Sequence, residues 1–537
     1  MPRAAIALVA LLVSAQQPPP ELTLRTSTRL VEVSLIVQDG KGRPVADLTP
    51  QDLELLEDGR PQKILFFQKE EAQERAAAVE LPPNTFSNRL GRHQASNAAV
   101  TVILLDSLNT PFTDRAYAKE QVRAFLKIVR PSDRIALYSL GSKLRVLHEF
   151  TSDTEVLLSL LDLHRGENSR SANSNLPPPF SGIIDELGRD PLQAPAEREG
   201  DLQTADRIGS TLQALSAIAR RLAGMPGRKN LIWVTAGVPL QMNMTQRSRA
   251  STRLRGSFGD EAARTGRALN DANIAVYSVD ARGLFTNPAE EATVKYTRGR
   301  PVTVSTPLRA MESTWEGMST LSDMTGGRVF KNRNDVDAAV AEAFEDARVS
   351  YSLAYRPEGA LDGKWRRIQV RVLREGLRAR HRMGYLAAAG GEDAGGERMM
   401  DDLVWSPIDA TRIGINAQAA RSAENGIELL LQVDPAWIDF QQAAEGRWSA
   451  LVELLFVQRD AEGRQVGRPE SKRVELTLKE ETYRRVKSEG WITRWPLPEA
   501  KGAAALKIAV RDIRTGAAGS LSIPFRKLAA APARYTQ

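Results

Sequence analysis

The densest group of side chains able to do chemistry is Asp106, Ser107, Asn109 and Thr110: a carboxylate, two hydroxyls and an amide in one short stretch. They follow Val100-Thr-Val-Ile-Leu-Leu, an unbroken run of apolar or β-branched residues. Such a run cannot be half exposed, so it predicts a strand covered on both faces, the habit of parallel sheets in α/β domains. Ligands of open α/β sheets bind beyond the carboxyl ends of the strands. An oxygen-rich cluster at such an end is therefore a candidate recognition site. The same side chains can instead cap the loop and the helix predicted over Asp114 to Val129.

Other chemistries find little support. The histidines His93, His148, His164 and His381 are spaced too widely for a local metal motif. No Gly-x-Ser-x-Gly elbow, glycine-rich phosphate loop or His-Glu-x-x-His occurs, so the recognised hydrolase and nucleotide-binding signatures are absent. Acid pairs such as Asp52/Glu54 and Glu480/Glu481 fall in turn or β contexts and read as solvated surface. Trp437, Trp448, Trp491 and Trp495 admit two uses, filling a sandwich core or lining a sugar platform. The absence of cysteine removes disulfides, thiolate metal sites and cysteine nucleophiles together. The formal charge of +7, from 73 basic and 66 acidic residues, is spread along the chain. No Lys/Arg block with interleaved aromatics stands out, so nucleic acid is not an expected partner.

The elements that must position the cluster read in order. Residues 1–15 have the layout of a secretory signal peptide: Arg3, an apolar core from Ala4 to Val13, and Val13-Ser14-Ala15 before an expected cleavage at Gln16. That core is too short to span a bilayer, and no later segment is long enough. A soluble periplasmic or secreted protein without stable membrane insertion is expected. A chain of 537 residues should divide into about three domains. Residues 22–70 read as a β-module: a strand over Val31–Val37, a turn with Thr49 as cap and Pro50 first, and a hairpin of Leu53–Glu57 with Lys63–Gln68 across Asp58-Gly59. A charged linker follows from Lys69 to about Ala98.

Residues 98–349 alternate strand and helix, the signature of a doubly wound sheet. Further strands are expected over Ser132–Leu140, Leu231–Thr235, Ile274–Val279 and Gly327–Phe330, with Lys143–Phe150 as a hairpin partner. The helices expected are one capped by Thr151 or Ser152 and running towards Leu163, then Thr211–Ala223, Asp260–Asn273, Met311–Thr325 and Asp335–Val349. Insertions are expected at about 166–200 and 282–308. Residues 350–386 are β segments expected to complete the first module, 387–400 form a glycine-bearing linker, and 401–530 read as a C-terminal β-sandwich. Its strands are expected over Ile427–Val433, Trp448–Val457, Val474–Leu478, Ala504–Val510 and Ser520–Phe525.

Four stretches resemble the VWFA-related proteins of Acidobacteria. They are Leu104-Leu-Asp-Ser-Leu-Asn-Thr-Pro111, Pro226-Gly-Arg-Lys-Asn230 running on to Thr235-Ala236-Gly237, Tyr351 through Tyr385, and Leu48 to Gln62 with its ending Glu57-Asp58-Gly59-Arg60-Pro61-Gln62. The resemblance covers about residues 25–385, with a weaker match in the β-tail. It implies an α/β plus all-β chain: a von Willebrand factor A-type doubly wound parallel sheet flanked by β-sandwich modules. It also implies a metal-ion-dependent adhesion site, where a hard divalent cation takes oxygen ligands and keeps one position open for a partner's carboxylate.

The family pattern is Asp-x-Ser-x-Ser on the first strand, a threonine on a later loop and an aspartate after the fourth strand. Carried over, Asp106 matches the first aspartate, Thr110 the second hydroxyl and Thr211 the loop threonine. Leu108 stands where the first serine belongs, and Ala236 replaces the last aspartate. The implied centre for Mg²⁺ or another divalent cation is therefore degenerate. Ser107, Asn109 or Asp280 would substitute only with an altered loop geometry. The competing use of Asp106 is to cap the next helix or hydrogen-bond the loop containing Thr235. The function expected is exported, non-enzymatic and adhesion-type, with a protein ligand bound through Asp106, Ser107, Asn109, Thr110, Thr211 and Thr235. The alternatives are an envelope enzyme or carbohydrate-binding protein acting through the Trp-bearing β-domain, and a purely structural envelope component.

Overall fold

The computed structural model describes residues 31–71, 81–89, 100–127, 129, 133–164, 193–225, 227–238, 261–283, 305–333, 335–345, 349–359, 362–388, 396–422, 426–443 and 446–528. The signal-peptide reading, and most of both expected insertions, lie outside these residues. Strands β1 (Val31–Gln38), β2 (Leu53–Glu57), β3 (Arg60–Gln62) and β4 (Phe66–Glu71) open the chain. Asp52 Oδ2 accepts both the N–H and the hydroxyl of Thr49, each at 2.8 Å, in the turn before β2. Asp58 and Gly59 take φ of 47° and 79°, the left-handed pair that closes a two-residue hairpin. The strand paired with β2 is therefore Arg60–Gln62, and the expected Lys63–Gln68 partner is corrected: Phe66–Glu71 crosses to another sheet. The stretch expected as linker then contributes a strand, β5 (Thr85–Ser87).

The α/β region comprises β6 (Val100–Asp106), α1 (Phe112–Leu126), β7 (Arg134–Leu140), β8 (Leu144–Thr151), α2 (Thr154–Leu163), α3 (Gln193–Leu222), β9 (Lys229–Thr235), α4 (residues 261–271), β10 (Ile274–Asp280), α5 (Ser305–Thr325), β11 (Arg328–Phe330) and α6 (Val336–Glu345). The sheet order is β11-β10-β9-β6-β7-β8. All neighbours are parallel except β8, which runs antiparallel to β7. This is the doubly wound order, with the chain reversing direction across the sheet between β6 and β9. Every residue of β6, β9 and β10 is buried, because alternate side chains feed two cores. Val102, Leu104, Leu231 and Trp233 pack with Ile208, Leu212 and Leu215 of α3. Ile103, Leu105, Ile232 and Val234 pack with Val122 and Phe125 of α1 and Val340 of α6. The cap of α2 is Asp153, whose side chain accepts from the Glu155 and Val156 N–H groups, in place of Thr151 or Ser152. Helix α3 begins far upstream of the expected Thr211, since Ala205 and Ile208 continue its apolar stripe.

Strands β12 (Val349–Tyr355), β13 (Asp362–Val372), β14 (Arg378–His381) and β15 (Gly384–Ala388) return to the opening strands. Two sheets, β14-β1-β12-β4 and β15-β13-β2-β3, close on Val33, Leu35, Leu55, Leu353 and Val370. Buried Glu57 joins them, accepting from the hydroxyls of Tyr355 (2.5 Å) and Tyr385 (2.9 Å).

The remaining elements are α7 (Gly396–Trp405), β16 (Ile415–Arg421), β17 (Gly426–Val433), β18 (Gln441–Gln442), β19 (Trp448–Arg459), β20 (Gln465–Leu478), α8 (Glu480–Glu489), β21 (Trp491–Pro498), β22 (Ala505–Asp512) and β23 (Ala518–Pro524). They form the sheets β21-β17-β16-β5 and β18-β19-β22-β23, with β20 on β19. The linker strand β5 is thus a member of the C-terminal sandwich. Asn88, just after it, donates to Ala410 O (2.7 Å) and Ile413 O (2.9 Å) and accepts from the Ile415 N–H (2.7 Å). A second tie comes from Thr411, which donates to Arg221 O (2.7 Å) and accepts from the Gly224 N–H (2.9 Å). A Cβ on Gly224 would lie 2.2 Å from Thr411 O, so only glycine permits this contact.

Asn88→Ala strips three buried backbone groups of their partner and is expected to cost about 3 kcal/mol. The cost is read as a lower urea midpoint; an unchanged midpoint would deny the strap any role. A second expectation concerns His381, whose Nε2 accepts from the Val370 N–H at 3.0 Å while Nδ1 meets Arg382 O at 2.8 Å. That pattern needs the neutral ring, and burial pushes its pKa below 6.5. The unfolded chain then takes up a proton near pH 6.5 that the folded chain refuses. Stability present at neutral pH falls as pH drops below that point, by at most about 1.4 kcal/mol per pH unit. Stability of His381→Gln, measured across the same range, should show a flatter acid limb than the wild type.

Candidate functional site

Strand β6 carries Asp106 to the carboxyl edge of the sheet, with Leu140 of β7 opposite it and β9 on the other side. There its Oδ2 accepts from Trp233 Nε1–H (2.9 Å), the Thr235 hydroxyl (2.8 Å) and Asn109 Nδ2–H (2.8 Å), and its Oδ1 from the Asn109 N–H (3.0 Å). Three of these donors converge on Oδ2 and one meets Oδ1, so both carboxylate oxygens are engaged. The network continues outward. Asn109 Nδ2 also donates to Thr211 Oγ1 (2.8 Å), whose own hydroxyl donates to Arg207 O one turn earlier in α3 (2.7 Å). Thr110 Oγ1 accepts from the Ala236 N–H (3.2 Å), and Thr235 Oγ1 from the Gly237 N–H (2.9 Å). Ser107 enters through its backbone, its N–H donating to Leu140 O at 2.8 Å. From α1, Arg115 donates to Thr110 O (2.8 Å) and Ser107 O (2.6 Å), holding both ends of the loop.

The electrostatics follow from burial. Desolvation pushes the Asp106 carboxyl above its ordinary range, opposed by the hydrogen bonds from Asn109, Thr235 and Trp233. Desolvation likewise lowers the Arg115 and Arg207 guanidinium values, each opposed by the Asp106 charge. The Asp106 charge thus favours the charged form of both guanidiniums.

The residues proposed from sequence are thus brought together, but inside the protein. Relative exposure is 2% for Asp106, 6% for Ser107, 5% for Asn109, 2% for Thr110 and 0% for Thr211 and Thr235. The side chains of Asp106, Asn109, Thr110, Thr211 and Thr235 are engaged in the protein's own hydrogen bonds. The expected metal ligands Asp106, Thr110 and Thr211 have their side-chain oxygens in protein hydrogen bonds. Leu108 turns into the core with Ile208 and Leu212. Asp280 stands apart, its carboxylate held by Arg282 (2.9 Å) and by Trp315 Nε1–H (2.5 Å). The observed role of Asp106 is the bond to the Thr235 loop.

The other candidates separate as well. His148 meets Glu149 O, His164 meets Ser139 Oγ, and His381 sits in the first module; His93 lies outside the described residues. Among the described residues no cluster of three His, Asp or Glu could hold a metal ion. Two of the four tryptophans, Trp491 and Trp495, pack on the sandwich core, while Trp437 is exposed. Arg412 lies 4.5 Å from the centre of the Trp437 ring, Trp448 stacks on Tyr483 at 4.3 Å, Lys472 lies 4.8 Å from the Trp495 ring centre, and Trp491 packs on the core. Three residues of the Asp106 network escaped the sequence reading: Trp233, Arg115 and Arg207. Trp233 looks like any apolar strand residue, whereas Arg207 would have surfaced had the Ala205–Ile208–Leu212 spacing been followed upstream.

No family model and no curated protein matches the chain. Among solved structures it is similar to an aerotolerance-related membrane protein from Bacteroides fragilis NCTC 9343, at 14% identity over 46% of this chain and 98% of that one, with a TM-score of 0.24. It is also similar to a von Willebrand factor type A protein from Catenulispora acidiphila (10% identity, 67% of this chain, 82% of that one, TM-score 0.23). A third is the ArnB paralog VWA2 from Sulfolobus acidocaldarius (8% identity, 92% and 74%, TM-score 0.22). Likeness at that level decides nothing further about this chain, whose α/β class rests on its own strand order and directions.

Thr235→Val keeps the shape but removes one donor from a buried carboxylate, and is expected to lower stability by about 1–3 kcal/mol. Trp233→Phe should cost a similar amount. Because both donors share Asp106 Oδ2, the double variant should lose measurably more or less than the sum. Urea unfolding of the three variants reads this, and wild-type stability in both single variants would remove Asp106 from the centre of the edge.

Proposed function

We propose that this chain is an exported, non-enzymatic binding protein of the VWFA-related kind. Its α/β domain acts as a type A domain with a degenerate adhesion centre, and presents its carboxyl-edge loops to a protein partner. The β-modules serve as spacers or additional contact surfaces. The reading is supported by the doubly wound order with a single antiparallel edge strand and by the sequence of residues 1–15 for export. Among the described residues, no helix is long and apolar enough to cross a membrane.

One observation carries the contact surface. Phe112, the first residue of α1, is 64% exposed directly after the pinned loop Ser107–Thr110. An aromatic ring on a rigid support is the kind of residue that anchors an interface at low entropic cost. The buried polar network then serves to hold the loop, and the contact itself is made by what the loop displays.

A photo-crosslinking amino acid placed at position 112 should capture a discrete partner in envelope extract, where the same group at exposed Leu373, in the first β-module, captures a different set or none. Phe112→Ala should weaken the captured complex about tenfold. Identical adducts at both positions would refute the edge as the contact surface.

A further inference from the structure

The type A resemblance implies a divalent cation at the carboxyl edge, and the residues standing there do not fit one. Mg²⁺ demands about six oxygens in near-octahedral array. In this chain the acceptor positions of Asp106 face four N–H or O–H donors, whose partial positive charge a cation would have to displace. Thr211 and Thr110 spend their hydroxyls on Arg207, Asn109 and Ala236, and Leu108 and Ala236 carry no ligand atom. Asn109 Oδ1 is buried without a hydrogen-bond partner. One neutral oxygen suits a single donor such as a buried water, and falls far short of a cation's shell.

The loop is held by the chain's own donors. Arg115 on α1 clamps the carbonyls of Ser107 and Thr110 in the loop that follows Asp106, and on α3 Arg207 O accepts from the Thr211 hydroxyl, which itself accepts from Asn109. Two helices and two strands therefore meet around one carboxylate through hydrogen bonds of the chain.

We propose that the carboxyl-edge centre is a cation-independent lock: Trp233, Thr235 and Asn109 hold Asp106, Arg115 clamps the loop that follows it, and a partner is bound without metal. The last clause rests on the function proposed above; the others do not.

The full chain is tested by thermal unfolding in chelator against millimolar Mg²⁺, Mn²⁺ or Ca²⁺. The midpoint should move by less than about 1 °C; a rise of several degrees that chelator reverses would overturn the lock. Electron paramagnetic resonance of added Mn²⁺ needs no variant and should show only free ion, whereas a bound signal that Asp106→Asn abolishes refutes the proposal. The donor role is read by coupling: the loss in midpoint from Thr235→Val should shrink at least about twofold when Asp106→Asn is already present. Equal losses in both backgrounds would overturn it. Crosslinking from position 112 should give the same yield in chelator and in Mg²⁺, and loss of the adduct in chelator would overturn the metal-free clause. Absence of adduct in both would sink the interaction reading and that clause with it, leaving the ion results to decide the lock.

Discussion

A charged carboxylate cannot be taken out of water unless hydrogen bonds and opposite charge replace what water provided. Asp106 is almost wholly enclosed, and meeting its needs dictates the arrangement around it. Trp233 and Thr235 come from β9 and Asn109 from the loop after β6, with Thr211 of α3 holding Asn109 and Arg115 of α1 holding the loop carbonyls. Those are the elements that flank the carboxyl edge on both faces of the sheet. Their mutual positions follow from one group's electrostatics as much as from the two apolar cores beneath.

The same constraint separates holding from contacting. Polar residues at the end of a parallel strand are commonly taken as ligands for something outside. Here they are ligands for one another, and their saturation makes the loop stiff. A stiff loop then sets the direction of the chain as it enters α1, and with it the exposed ring of Phe112. The function proposed above divides recognition from support between neighbouring residues.

Beyond the edge, the modules are tied by polar contacts that span long stretches of chain. Asn88 bridges backbone groups in the C-terminal sandwich more than three hundred positions away, and Thr411 meets the end of α3 where Gly224 allows backbone to touch backbone. The sandwich is thereby anchored both to the linker before β6 and to the helix that carries Thr211.

Much of this was legible from residue order alone. The strands β6, β9 and β10 announce themselves as continuous apolar runs, and α1, α5 and the residues of α4 by helical spacing, because burial on two faces or one stripe leaves a periodic trace. Strand β5 left none: three residues are too few for a period, and its reason for being a strand is the edge of β16. Strands β16 and β21 were missed for related reasons, the first rich in alanine and polar residues, the second carrying two prolines. The hairpin partner of β2 was misplaced because an Asp-Gly turn fixes a register at once, and Arg60–Gln62 is too polar to look like a strand.

Residue order by itself determined the class of the fold, the covered strand ending in Asp106, and the polar character of the edge that follows, since these depend on local composition and period. Only the tertiary structure decided that the edge faces inward. The groups that claim Asp106 stand 127 and 129 positions along the chain, and no periodicity reports which indole or hydroxyl a distant crossover will bring against a carboxylate. Whether an acid at a strand's end is offered to the outside or consumed within is a matter of who its neighbours are in space.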